Sequence, residues 1–339
     1  MRTAARRSSY AMTLVASAAL LLTGCGESGS SGTQPPAANS SPPAGSSAAV
    51  ACEPVAGPEL VALTDDKKLQ TADNIIPAIN AKAASAGLVA ALDKVSAAMS
   101  QDDLVGLNKA TDIDRKAPAA VAKDFVAAKG LADGLSGGSG KIVVGAANFS
   151  ENQTLANVYA EVLKAAGYDA SVKTVGNREL YQPALAKGEL QVVPEYAGTF
   201  TEFLNKKQNG ANAKAVASGD IDATVQALAP LADKAGLKVG KASAAADQNT
   251  FATTKAFAEK YAVTSLSDLA AKCGGGVSLG GPAECPTRPF CQAGLESTYM
   301  LKVSKFTSLD AGGPLSKAAL KQGKVAIALV FSSDAALAG

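Results

Sequence analysis

Residues 141–163, KIVVGAANFSENQTLANVYAEVL, and residues 176–200, GNRELYQPALAKGELQVVPEYAGTF, decide the fold. Lys141 to Gly145 is a short apolar run of β-branched residues, the pattern of a buried parallel strand. From Glu151 to Ala166 the apolar residues Leu155, Val158, Tyr159, Val162 and Leu163 recur at helical spacing on one face. Ala170 to Val175 reads as the next strand, Arg178 to Lys187 as a helix, and Leu190 to Val193 as a third strand before Pro194-Glu195-Tyr196. Two βαβ units in succession imply an α/β fold with a parallel sheet. Ligands of such sheets bind beyond the carboxyl ends of the strands. Those ends place Ala147 to Ser150, Gly176 to Arg178 and Tyr196 to Thr199 along one rim.

Upstream of these stretches, Glu59 to Leu131 holds one short strand candidate, Leu60 to Leu63, and is otherwise read as helical. Ser100-Gln-Asp-Asp103 has the form of a helix N-cap with an acid at the third helical position, and Pro118 suits a first helical turn. The segment GLSGGSG at 134–140 is a flexible joint ahead of the first parallel strand. Farther upstream, residues 1–24 carry Arg2, Arg6 and Arg7, then an apolar run from Ala11 to Leu22, then Thr23 and Gly24. This is the pattern of an export signal, and the run is shorter than the roughly 20 residues that span a bilayer. Leu22-Thr-Gly-Cys25 resembles the lipobox of bacterial lipoproteins, which makes Cys25 the lipidated residue. Loss of 1–24 removes three arginines and no acid, turning the net charge of +2 into −1. Residues 25–53 are then the lipidated Cys and a Ser, Gly, Pro and Ala tether, too poor in large apolar residues to fold.

The whole chain has 339 residues, 47% hydrophobic and 5% aromatic, with 32 Lys+Arg against 30 Asp+Glu. The length suits two domains or one domain with two lobes. So balanced a charge lacks the basic excess of a nucleic-acid binder. There is no His, which removes the commonest general base and zinc ligand. The phosphate-loop, GxGxxG and GxSxG patterns also fail: Leu135 and Ile142 break the first, Leu279 the second, and no GxSxG occurs. No enzyme, metal or cofactor is expected. Beyond Cys25 there are four cysteines, Cys52, Cys273, Cys285 and Cys291. Outside the cell membrane an even count favours two disulfides; the short Cys285–Cys291 spacing suggests that pair and leaves Cys52 with Cys273. A metal site is the alternative, without CxxC spacing to support it.

The two opening stretches, followed by NTFATTKAFAEKYAVTSLSDLA at 249–270, TRPFCQAGLESTY at 287–299 and LKQGKVAIALVFSSDAAL at 320–337, resemble successive motifs of the substrate-binding proteins of osmoprotectant ABC transporters, which carry glycine betaine, choline or carnitine. The resemblance implies a bilobed periplasmic-binding-protein fold of type II and a monomer on the outer face of the cell membrane. Its partners would be a small solute and the permease and ATPase subunits of an importer. In that family the chain continues past the SSD motif with a strand and closing helices. Here LVALTDDK at 60–67 and ADNIIPAIN at 72–80 resemble that ending but precede the opening strand. The implied arrangement is a circular permutation with 134–140 as its joint, lobe I at 54–200 plus 332–339, and lobe II at 201–331.

Members hold a quaternary ammonium in a box of aromatic rings, whose negative faces attract a cation that cannot donate hydrogen bonds. Tyr196 in PEYAGT matches one box position. The resemblance places further aromatics near Ser150, Gln292 and Lys317, and none of these three is aromatic. Tyr181, Tyr299 and Phe331 can build a different box or simply pack in the core. Arg178, with Asn177 at a helix start, is a candidate for binding a carboxylate, as is Arg288; either can instead be solvated or bridge the lobes. Asn148, Ser150, Thr199, Gln248, Asn249, Gln292, Ser332 and Asp334 complete the expected ligand or hinge contacts. The function implied is delivery of a zwitterionic or quaternary ammonium osmoprotectant to a permease. The alternative is a lipid-anchored sensor or interaction protein on the same fold, with another ligand or none.

Overall fold

A computed structural model describes residues 50–337; the expected export signal, Cys25 and most of the tether lie outside the described residues. Among the described residues ten strands form two five-stranded sheets. They are β1 Leu60–Leu63, β2 Ile75–Asn80, β3 Lys141–Ala146, β4 Asp169–Thr174, β5 Val192–Tyr196, β6 Leu237–Val239, β7 Asn249–Thr254, β8 Val277–Gly281, β9 Val303–Ser308 and β10 Ile327–Phe331. The first sheet has the order β4-β3-β5-β2-β6 and the second β1-β7-β10-β8-β9. In each, three parallel strands are followed by an antiparallel strand and then a short antiparallel edge strand. The two sheets share one plan, and in each the chain leaving the short edge strand crosses to the other sheet, where it forms the antiparallel strand next to that sheet's edge. The chain leaving β1 becomes β2, and the chain leaving β6 becomes β7, so two crossovers join the lobes at 64–74 and 240–248. This is the mixed α/β architecture of a bilobed type II periplasmic-binding fold.

Both faces of each sheet are covered, which is why the strands read as continuous apolar runs. In β2, Ile75 and Ile79 face one cluster with Leu88, Leu92, Val144, Leu155 and Tyr159, while Ile76 and Ala78 face another with Val193, Phe200, Leu204 and Leu228. The expectation of helices throughout 64–131 therefore fails at β2. Pro77 argues against a strand in sequence, but its register partner in β5 is Pro194. Neither has an N–H, so the two prolines meet at a position where an antiparallel ladder can dispense with both bonds.

The lobe boundaries also differ from those expected. Residues 201–239 belong with the first sheet, because β6 pairs with β2 from Ala78↔Val239 to Asn80↔Leu237 and the helix Ile221–Lys234 packs with Phe200 and Leu204. Conversely β1 pairs with β7 and belongs with the second sheet. At the end of the described chain, Leu337, like Leu60, packs against the cluster of Ala319, Leu320 and Val330 in that lobe. Among the described residues there are two disulfides, Cys52–Cys273 and Cys285–Cys291. The first ties residues 50–53 to the end of the helix Leu266–Lys272; the second closes a loop beyond β8.

Candidate functional site

The carboxyl ends of β3, β5, β8 and β10 converge on a cavity of about 610 Å³ lined from both lobes. Its apolar wall holds Phe149, Tyr181, Tyr196, Phe203, Phe290 and Phe331. Three of these rings touch in sequence. Phe149 lies 6.1 Å from Tyr196 at an interplanar angle of 30°, and 5.4 Å from Phe331 at 33°. Phe149 and Tyr196 come from the first lobe, at the ends of β3 and β5, and Phe331 from the second, at the end of β10, so the trio spans the cleft.

The polar floor begins with a close approach of backbones. The crossover 64–74 runs so near the helix Ala197–Asn209 that a Cβ on Gly198 would lie 2.1 Å from Thr71 Oγ1 and 2.9 Å from the Ala72 carbonyl. Glycine there lets Asp73 Oδ1 accept from the Thr199 amide at 2.8 Å and hydroxyl at 3.2 Å. Burial pushes the Asp73 carboxyl up to about 7, against the pull of the Thr199 bonds and of Arg178. Arg178 is itself buried and engaged by Glu195: Nε–Oε1 is 3.0 Å and Nη2–Oε2 2.6 Å. Nη2 also donates to Thr199 Oγ1 at 3.0 Å, and the Tyr181 hydroxyl donates to Glu195 Oε1 at 2.9 Å. This pair occupies the guanidinium expected to take a carboxylate.

A second network sits where the lobes join. Tyr196 donates to Glu151 Oε1 at 2.7 Å, and Asn108 Nδ2 donates to Glu151 Oε2 at 2.6 Å. Ser333 Oγ lies 2.6 Å from both Glu151 Oε2 and Asp247 Oδ1. Burial first, and then Glu151 and Asp247 beside it, raise the Tyr196 phenol well above its ordinary value. It stays neutral and keeps its proton for Glu151.

A family model described as the substrate binding domain of ABC-type glycine betaine transport system matches residues 54–128 and 140–339. The chain belongs to this family. No curated protein matches it. The family binds solutes outside the cytoplasm for ABC importers and is not enzymatic. Among the described residues no helix is long and apolar enough to cross a membrane.

Within this binding domain the expected residues divide into three groups. Asn148, Asn177, Arg178, Tyr196, Thr199, Asn249 and Arg288 line the cleft, as do Tyr181 and Phe331. Asn249 Nδ2 donates to the Phe290 carbonyl at 3.0 Å and so holds the disulfide loop over the cavity. Arg288, on that loop, reaches across to Glu179 at 2.7 Å and bridges the lobes. Ser150 and Asp334 line a smaller neighbouring cavity of about 210 Å³. There Asp334 is paired with Lys317 at 2.5 Å.

Gln248, Ser332 and Gln292 line neither cavity. Gln248 and Ser332 bind each other: the Gln248 amide donates to Ser332 Oγ and the Ser332 amide to the Gln248 carbonyl, each at 2.9 Å. They splice the crossover to the chain leaving β10. Gln292 donates to Glu296 on its own helix. Tyr299 bonds Asp65, outside the cleft. Sequence reading missed Phe149, Phe203, Phe290, Asp73 and Asp247. Phe149 adjoins Ser150 and Phe290 is two residues before Gln292, so two of the rings sought at those places are present one or two residues away.

Proposed function

We propose that this protein is a lipid-anchored solute-binding component of an ABC importer that closes on a quaternary ammonium osmoprotectant of the glycine betaine or choline type and delivers it to a permease. The observation that carries this reading is the run of touching rings Phe149, Tyr196 and Phe331 across a cavity shared by both lobes. A ring face contributes about 0.5–2 kcal/mol to holding a cation, more as water is excluded. A solute touching rings of both lobes binds the closed form better, and that difference drives closure. Anchoring rests on the Leu-Thr-Gly-Cys25 sequence. Circular permutation is supported by the break in the family match between 128 and 140, at the Gly-rich joint, and by Leu337 and Leu60 packing against one and the same apolar cluster. Under it, the family's closing segment precedes its opening strand.

Calorimetric titration with glycine betaine, choline, carnitine, ectoine and a set of amino acids tests the reading. Micromolar binding of a quaternary ammonium is expected; binding of amino acids alone, or of nothing, overturns it.

The Arg288–Glu179 bridge predicts a smaller effect. Both groups are partly exposed, at 22% and 44%, so the pair is worth about 0.2–1 kcal/mol. Arg288→Gln is expected to weaken solute binding about two- to fivefold. Because exposed charges are screened, raising the salt should bring the wild type toward the variant. An affinity indifferent to both changes would show that the bridge does not favour closure.

A further inference from the structure

Ser333 Oγ sits 2.6 Å from an oxygen of Glu151 and 2.6 Å from an oxygen of Asp247. A hydroxyl carries one hydrogen, so two contacts of that length require a second hydrogen, which a carboxyl must supply. Glu151 comes from the helix after β3, Asp247 from the crossover before β7, and Ser333 from the chain after β10. Asp247 lines the ring-walled cavity, and Glu151 holds the hydroxyl of Tyr196, whose ring lines it too.

We propose that the cleft takes up its cationic solute in exchange for the proton that Glu151 and Asp247 share through Ser333. This rests on reading the cleft as a quaternary ammonium site. Before binding, the pair carries one negative charge. As the cation settles on Tyr196, a carboxyl O–H breaks, its electron pair stays on the carboxylate, and the proton leaves to solvent. The pair then carries two negative charges beside one positive, and the charge of the site is unchanged. A quaternary ammonium has no hydrogen to give the pair, so its charge alone drives the exchange. A zwitterion brings its own carboxylate and drives less of it.

The surroundings keep that proton in place until a cation arrives. Burial raises both carboxyls, and for Asp247 the charge of Glu151 comes next. Asp73 faces Asp247 and raises it further, whereas the bonds from Asn108, Ser333 and Tyr196 lower Glu151. The neighbouring pairs Arg178–Glu195 and Lys317–Asp334 are each closed on themselves. Asp112 and Asp310, which share the smaller cavity with Glu151, add only negative charge. Two carboxyls bridged in this way titrate as a unit.

The bound form holds fewer protons, so affinity rises with pH while the free protein still carries the shared proton, by up to about tenfold per pH unit, and then levels off.

The test is calorimetry of the whole protein with choline, in phosphate and in Tris, at several values between about pH 5.5 and 8.5. Heats that differ between buffers by close to one released proton, with Kd falling as pH rises, support the exchange. Equal heats in both buffers with a flat Kd overturn it and leave the cation site standing. No binding of any quaternary ammonium at any pH overturns the site itself. Asp73 also titrates in this window, so the Asp73→Asn variant is measured in parallel. Release that persists there and vanishes in Asp247→Asn supports the pair, whereas release lost with Asp73 moves the proton to Asp73 and overturns the assignment.

Discussion

Replacing Glu195 with Gln is expected to destabilise the protein by about 3–5 kcal/mol, the loss seen when one partner of a buried ion pair is removed. The Glu195 side chain is fully buried and that of Arg178 is 8% exposed. Gln keeps the shape but not the charge, and a guanidinium stays protonated at any ordinary pH. The variant therefore strips the buried cation of its paired carboxylate among Phe200, Phe203 and Tyr181, with only the more weakly coupled Asp73 left to oppose it. Their ring faces replace only part of what the bidentate carboxylate supplied. Denaturant unfolding at neutral pH measures the loss as a shift in midpoint. Arg178→Met combined with Glu195→Gln removes the stranded charge and should recover most of the stability, because a buried pair is worth little against apolar neighbours of similar size. A midpoint for Glu195→Gln within about 1 kcal/mol of wild type would mean that water reaches the pair and that the first lobe does not depend on it.

That pair also marks where sequence reading stops. Arg178 at the head of a helix resembles an anion site, and the backbone amides there reinforce the impression. What decides otherwise is Glu195, seventeen residues on in β5, whose carboxylate sits against Arg178 only because β5 lies beside β3 and the helix Arg178–Lys187 packs over the sheet. The parallel strands were legible because burial on both faces leaves a run of apolar residues. Strand β2 was not, since Pro77 looks like a breaker until Pro194 is seen opposite it. The exchange of strands between lobes was hidden for a related reason. Which sheet β1 or β6 joins depends on pairing with residues well over a hundred positions away, and nothing local records it.

The candidate site was legible as a rim and not as a chemistry. Tyr196 was found from its motif, yet the resemblance directed attention to positions 150 and 292 and passed over Phe149 and Phe290 beside them. Asp247 lies in a stretch of small polar residues with no periodicity. Its partners Glu151 and Ser333 are 96 residues away in one direction and 86 in the other. Such a network is assembled by the crossovers, so its existence is a property of the topology.

Tyr196→Ala is expected to weaken quaternary ammonium binding by about 100-fold and to abolish ligand-induced closure at concentrations that saturate the wild type. The loss has two sources, about 0.5–2 kcal/mol for the ring face under the cation and about 0.5–1.5 kcal/mol for the stack that orients Phe149. Small-angle scattering with and without solute reads the closure, and unchanged closure would remove Tyr196 from the contacts. Because the side chain is buried, the alanine variant also leaves a cavity, so Tyr196→Phe is the sharper companion. It keeps the ring and the stack while removing the donor to Glu151 Oε1. That bond lowers the Glu151 carboxyl, so without it the pair holds its proton more tightly. If ring and hydroxyl do separate jobs, Tyr196→Phe will still close on its solute, and the rise of affinity with pH will move to higher pH. If instead the phenylalanine variant binds as weakly as alanine at every pH, the hydroxyl's hold on Glu151 is what positions the ring, and the two networks of the cleft are one.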